Sequence, residues 1–350
     1  MIKVKKEGIL ISKTDLEFEN EAVLNPAVFR EGDNVHIFYR AVRNGNNSTL
    51  GYCKLDGPLN ISERWDKPFM IPEFDYESQG VEDARITKID DTFYMTYTAY
   101  DGINARGALA TGKNFMKLKK HGIIVPPISY ARFVYLVGSA GNVNENYYHN
   151  HNFYYQENDP EEKILLWDKN VVFFPRRING NLVFLHRIRP GIQIVSVKEL
   201  KDLTNDFWKE YFRKFNEFIV MDPIFEHESN YIGSGCPPIE TEQGWLLIYH
   251  GVHGSEVGLV YSACAALLDL EDPSKEIGRL DYPLFSPEYS WELFGDVNNV
   301  AFPTGAVQFG DTLFIYYGAA DSHIAVASLK ITELIAELLT VTNTKKNEIK

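Results

Sequence analysis

The sequence predicts an all-β fold, a five-bladed β-propeller with peripheral helices, and three observations point to it. Five segments share one grammar: a Pro or Asp start, a strand, a turn of Gly, Asp or Asn, then an apolar strand ending in Tyr or His. A third strand rich in small residues follows each of them. No internal stretch of Gly, Ser or Pro reads as a linker, so residues 1–350 are expected to form one domain.

The segments are NPAVFREGDNVHIFYR (25–40), DARITKIDDTFYMTYT (83–98), FPRRINGNLVFLHR (174–187), PPIETEQGWLLIYH (237–250) and FPTGAVQFGDTLFIYY (302–317). With Pro26, Ala84, Pro175, Pro238 and Pro303 taken as equivalent, the closing aromatics Tyr39, Tyr97, His186, Tyr249 and Tyr316 follow 13 or 11 residues later. An even difference, absorbed in the hairpin turn, keeps every side chain on its face. The small-residue strands are LGYCKLD, RGALATG, IQIVSV, YSACAALLDL and IAVASLKI. Three short strands with closing turns describe a propeller blade. The anchors lie 58, 91, 63 and 65 residues apart, and the longest gap holds a loop insertion at about 138–165. Its centre, residues 142–163, has no apolar periodicity. Helical spacing occurs in 205–218 and in 331–340, and the tail TNTKKNEIK reads as frayed.

Composition narrows the function. The chain is 45% hydrophobic and 13% aromatic, enough for a substantial core. Thirty-five basic residues against 48 acidic ones, a net charge of −13, disfavour nucleic acid and anionic membranes as partners. Cys53, Cys236 and Cys264 are odd in number and far apart, which indicates neither a disulfide framework nor a thiolate zinc site. The opening MIKVKKEGILIS has too short an apolar run for a signal peptide, and no segment approaches the ~18 apolar residues of a membrane span. A cytoplasmic protein is expected. Serine-hydrolase, P-loop and dinucleotide motifs are absent, and His149 with His151 makes a weak metal site, so no metal or organic cofactor is expected.

In a propeller, the first strand of each blade lines the axis and brings distant residues to one pocket. The positions before the anchors are Asn25, Asp83, Phe174, Pro237 and Phe302; those after the closing aromatics are Arg40, Thr98, Arg187, His250 and Tyr317. Polar groups there suit a polyhydroxylated ligand, with Phe74, Tyr76, Tyr100, Phe302 and Tyr317 as stacking surfaces. Asp83, in GVEDARI, opens a strand with a carboxylate; burial at a pocket floor would raise its pKa and suit a general acid. The plainer reading is a turn cap or a partner for Arg85. Asp321 in YYGAAD can accept two sugar hydroxyls or hold a turn, and Glu240 can face the channel or lie exposed on its hairpin. Arg40 and Arg43 can bind substrate oxygens, with a surface salt bridge as the alternative for Arg43.

These residues resemble glycoside hydrolase family 130, in the motifs NPAVF, FYRAVRNGNNS, GVEDARI, FPRRINGNLVFLHR, GSGCPPIETEQGWLLIYHGV, DPSKEIGRL, NNVAFPTGAV and LFIYYGAAD. The resemblance implies a five-bladed propeller that cleaves nonreducing-end β-mannosides of manno-oligosaccharides with inversion. It implies Asp83 as general acid, delivering its proton through a mannose hydroxyl, and Asn25, Arg40 and Asp321 as ligands of that mannose. The family divides between phosphorylases, which hold inorganic phosphate on basic side chains, and hydrolases, which activate water with a carboxylate. Where phosphorylases read PPIKT this chain has Glu240, and a second basic position is Asp168; Arg187 is kept, and Arg176 stands where the family often has Glu. Two acids for two bases favour hydrolysis with Glu240 as base. Phosphorolysis to α-mannose 1-phosphate, through regrouped arginines, is the alternative. A glycan-binding propeller without catalysis, or a glycosidase for arabinosides or fructosides, fits the paired acids or the motifs less well.

Overall fold

The computed structural model describes residues 1–139, 141, 143–149 and 164–348. Of the predicted insertion, residues 140, 142 and 150–163 lie outside the described residues, His151 among them. Strands dominate, in several antiparallel sheets. The sequence repeats form units of four strands, or five in the fourth unit, rather than three. The first unit is Ala22–Glu31, Asn34–Arg43, Asn47–Asp56 and Asn60–Arg64; the second is Gly80–Ile89, Thr92–Tyr100, Ala105–Asn114 and Lys117–Ile123. A single parallel bridge, Ser48 to Gly80, joins these two into one eight-stranded sheet. The third unit runs Lys169–Phe173, Leu182–Arg187, Ile192–Val197 and Ile219–Met221. In the fourth, Tyr231–Ser234 and Ile239–Thr241 both pair with Gly244–Ser255, followed by Gly258–Leu268 and Glu276–Arg279.

The fifth unit, Ala301–Phe309, Thr312–Ala319 and His323–Lys330, takes its outer strand from the other end of the chain. Lys5–Ser12 pairs antiparallel with it, from Lys5 opposite Ser328 to Ser12 opposite His323. The N-terminal segment with its short apolar run is therefore a structural strand. The first strands of the first four units pack in succession, Ala301–Phe309 meets Gly244–Ser255 and Gly258–Leu268 of the fourth, and it packs back against Ala22–Glu31 of the first. There Thr304 Oγ1 donates to the Pro26 carbonyl at 2.9 Å.

Four units share a device the sequence reading missed. A short helix before the first strand carries a fully buried Glu: Glu19, Glu77, Glu228 and Glu292. Each accepts a hydrogen bond from a tyrosine of the second strand and pairs with a cation. Tyr39 and Arg64 hold Glu19 at 2.7 and 2.8 Å, and Tyr97 and Lys120 hold Glu77, both at 2.6 Å. Tyr249 and Arg279 hold Glu228, and Tyr317 and Lys6 hold Glu292. A buried carboxylate is tolerated only when paired and hydrogen-bonded in this way. In the third unit His186 replaces the tyrosine, contacting Asp168 at 2.8 Å and Tyr211 at 2.7 Å.

Helices lie outside the sheets. Asn205–Arg213 continues as a 3-10 turn through Phe218, in agreement with the apolar spacing, and buries Trp208, Tyr211 and Phe212. The C-terminal helix Ile331–Glu348 extends past the expected end, since no Gly or Pro interrupts it. An unforeseen helix, Tyr130–Val137, is capped by Ser129 and packs Phe133 against Phe212 and Phe215. Among the described residues no helix is long and apolar enough to cross a membrane.

Candidate active site

The chemistry collects where the first strands are interrupted. Pairing slips between Leu24 and Ala27, between Glu82 and Arg85, and between Lys169 and Val172. At the slips Asn25, Asp83 and Asn170 take φ of 48°, 48° and 56°, the left-handed region that Asn and Asp tolerate best. A bulge of this kind re-aims a side chain out of the ladder. It also breaks the alternation that would have sent Glu82 to the opposite face: Glu82 and Asp83 both reach Arg40, at 2.8 and 3.8 Å. Register makes Asn170 the equivalent of Asp83 in the third unit. The anchor at Pro175 is therefore wrong by the length of the strand, and Phe174 faces the core against Trp245.

A cavity of about 150 Å³ is lined by residues of all five units: Asn25 and Arg40, Asp83, Lys169 with Asn170, Arg187 and Arg189, Tyr231 and Tyr261, then Phe302 and Asp321. A wider hollow of about 470 Å³ adjoins it and shares Arg40 and Asp321. Asn25 Nδ2 donates to Asp83 Oδ1 at 2.8 Å. A Cβ at Gly318 would fall 2.1 Å from Asn25 Oδ1, so the glycine of YYGAAD leaves room for that side chain.

One side of the cavity is acidic. Burial pushes the Asp83 carboxyl up, but the charges of Arg40, Lys169 and Arg85 and the Asn25 hydrogen bond outweigh it, leaving its pKa below the ordinary value. The expected rise by desolvation is thus reversed, because three cations converge on one carboxylate. Burial raises Glu82 despite Arg40, and raises Asp321 to about 7 with Asp83 and Asp296 adding to it. The other wall is basic. Arg187 and Arg189 lie 5.2 and 3.6 Å from the Tyr231 ring centre, and the Nε of each has no hydrogen-bond partner among the described residues. Burial, and then Arg187, lower Lys169 to about 8; burial, and then Arg189, lower Arg187 to about 10. His250 is buried beside this wall, its ring tilted against Phe302 at 4.4 Å, and burial holds its pKa well down, which favours the neutral form. The wall is a concentration of positive charge fit for a dianion.

Of the expected site residues, Asn25, Arg40, Asp83, Arg187, Phe302 and Asp321 line the cavity, and His250 lies behind Phe302. Four do not. Glu240, expected as base, is half-exposed on the hairpin Ile239–Gly244, paired with Arg176 at 2.7 Å. Arg43 is exposed, 3.7 Å from Glu17. Tyr100 donates to the Gly102 carbonyl at 2.9 Å. Tyr317 is buried, its hydroxyl on Glu292. Phe74 and Tyr76 stack on each other, 5.1 Å apart, away from the cavity lining. Asp168 is buried against His186 rather than facing the cavity. Arg189, one of the four arginines (Arg176, Arg177, Arg187 and Arg189) of the alternative phosphate site, also lines the cavity, whereas Lys169, Asn170, Tyr231 and Tyr261 were missed. Asn170 lies 16 residues before His186, against 14 from Asp83 to Tyr97, because the hairpin turn of the third unit is longer, so the spacing of the other units does not place it.

Among the described residues no cluster of His, Cys, Asp or Glu is suited to a metal ion, and all three thiols are buried. A polar cavity with a carboxylate pair on one side and a cationic wall on the other, set among β-sheets, defines a carbohydrate-active enzyme. A family model described as β-1,4-mannooligosaccharide phosphorylase matches residues 7–339, and the chain belongs to glycoside hydrolase family 130. It is similar to a β-1,2-mannobiose phosphorylase of a Thermoanaerobacter species, 35% identical over 347 residues, covering 94% of this chain and 97% of that one. A 1,2-β-oligomannan phosphorylase of the same organism is 33% identical over 348 residues, covering 95% and 99%. Among solved structures, the β-1,2-mannobiose phosphorylase of Listeria innocua in complex with β-1,2-mannobiose superposes with a TM-score of 0.70 at 25% identity, over 96% of this chain and 99% of that one.

Proposed function

We propose that the chain is a five-bladed propeller that cleaves the nonreducing-end β-mannosidic bond of manno-oligosaccharides by phosphorolysis, releasing α-mannose 1-phosphate. The observation that carries this reading is the wall of Lys169, Arg187 and Arg189 in the same cavity as Asp83. Hydrolysis, favoured from the sequence, gives way to it. Glu240 and Asp168 were the acids that argued against phosphate, and neither lines the cavity. Glu240 and Arg176 instead pair with each other, so two departures from the family pattern amount to one ion pair with its charges exchanged. The full-length relatives, both named for β-1,2-linked substrates, favour that linkage here.

In this reading Asn25, Arg40 and Asp321 hold the mannose, and phosphate on the basic wall attacks its anomeric carbon. The new C–O bond forms on the face opposite the leaving oxygen, which inverts the centre. The leaving oxygen takes a proton that originates at Asp83. Phosphate also prepares that proton: a dianion beside Lys169 and the arginines offsets the charge that keeps Asp83 ionised, raising its pKa. The propeller rests on the order of the units, whose neighbouring first strands return from the fifth to the first.

The test is the reverse reaction. α-Mannose 1-phosphate and mannose should yield a β-linked disaccharide with release of phosphate, and Asp83→Asn should lose at least about a thousandfold in rate. Absence of any synthesis by the native enzyme would contradict the proposal.

A further inference from the structure

The two arginines of the basic wall are separated by one residue, Ile188, whose side chain is fully buried. Its backbone is gripped by a side chain from the next strand. Gln193 Oε1 accepts from the Ile188 N–H at 2.7 Å, and Gln193 Nε2 donates to the Ile188 carbonyl at 3.1 Å. The same Nε2 donates to the Tyr147 hydroxyl at 2.9 Å, and that hydroxyl donates to Asp222 Oδ1 at 2.7 Å. Asp222 is tied in turn to the fourth unit, where its carbonyl accepts from Arg279 at 2.8 Å. Gln193 and Tyr147 are both fully buried. None of the buried side-chain polar atoms in this chain of contacts lacks a partner, the condition under which a buried network rigidifies what it holds.

Tyr147 comes from the inserted segment between the second and third units, not from any strand. Its ring packs edge-on against Phe215, 5.1 Å away. A Cβ at Gly191, just beyond Arg189 and Pro190, would fall 2.3 Å from both the Tyr147 hydroxyl and Asp222 Oδ1, so the arginine-bearing turn and the insertion fit closely there. Neither Tyr147 nor Gln193 lines the cavity.

We propose that Tyr147 and Gln193 are positioning residues that hold the Arg187–Ile188–Arg189 backbone in the geometry that binds phosphate, so that the insertion sets affinity for the co-substrate and not for the sugar. The inference rests on the phosphorolysis reading. A dianion held by two forked guanidinium groups depends on their spacing. A displacement of about 1 Å at such a site costs up to about a hundredfold. The mannose ligands Asn25, Arg40 and Asp321 belong to other units and do not feel this clamp directly.

The experiment compares Tyr147→Phe, which keeps the ring and removes the hydroxyl, with Gln193→Glu, which keeps the volume and removes the donor. KM for phosphate and KM for β-1,2-mannobiose are measured for each, with calorimetric titration of inorganic phosphate alone. Tyr147→Phe should raise the phosphate constant about tenfold and leave the mannobiose constant within about twofold. Equal rises in both constants, or none, would overturn the inference, since a purely structural role does not separate the two substrates. If one variant fails to fold, the other reads the same split. A native enzyme that does not bind phosphate would overturn the phosphorolysis reading and this inference together. Native binding that both variants retain unchanged would overturn this inference alone.

Discussion

Asp83 is held at a positive φ, hydrogen-bonded by Asn25 and faced by Arg40, Lys169 and Arg85, so its charge state follows whatever else enters the cavity. Lys169 is the group whose titration falls in an accessible range, near 8, lowered by burial and by Arg187. It is charged below that pH and neutral above it, so kcat/KM for phosphate should fall as pH rises through about 8. Lys169→Gln should bind phosphate weakly at every pH and lose that limb; a limb that persists in the variant would assign it to another group. Glu240 lies at the opposite extreme. Its pair with Arg176 is more than a third exposed, worth no more than about 1 kcal/mol, and Glu240→Gln should leave turnover within about twofold. A large loss would return Glu240 to the chemistry. Asp83, Asn25, Arg40 and Asp321 were legible because each sits beside a recognisable strand end. Lys169 and Asn170 were not, because a bulge and a longer turn in the third unit shift its register against the proline used to align it.

At the level of the elements, the short helices that carry Glu19, Glu77, Glu228 and Glu292 staple each loop to the strand behind it. Breaking one partner leaves a buried charge uncompensated. Glu77→Ala, which strips Tyr97 and the buried Lys120 of their acceptor, should destabilise the fold by about 3–5 kcal/mol in denaturant unfolding. A change below about 1 kcal/mol would mean that solvent reaches the pair. The hairpins could be read because alternation and turn residues are local signals. The staples could not, since an isolated Glu in a polar loop looks solvated until the partner strand, 20 residues on in the case of Tyr97, is placed over it. Tyr317 was misassigned for the same reason: an aromatic after a strand looks like a sugar platform until Glu292 is found on its hydroxyl.

Over the whole molecule, the N-terminal strand completes the fifth unit and carries Lys6 to the buried Glu292. Deleting residues 1–12 should therefore expose the edge of His323–Lys330 and strand that carboxylate, giving a chain that aggregates or melts well below the native one. A truncated chain with native melting would show that the fold does not depend on this strand. The five-fold repeat was visible in the sequence, but its completion by the opposite end of the chain was not, since Lys5–Ser12 has no hairpin partner of its own. The central claim is that the basic wall makes phosphate the nucleophile. A phosphorus NMR time course with β-1,2-mannobiose and inorganic phosphate tests it most directly. Phosphate should be consumed as α-mannose 1-phosphate appears in equal amount, with no cleavage when phosphate is left out. Free mannose released at the same rate without phosphate, and an unchanged phosphate signal, would contradict it.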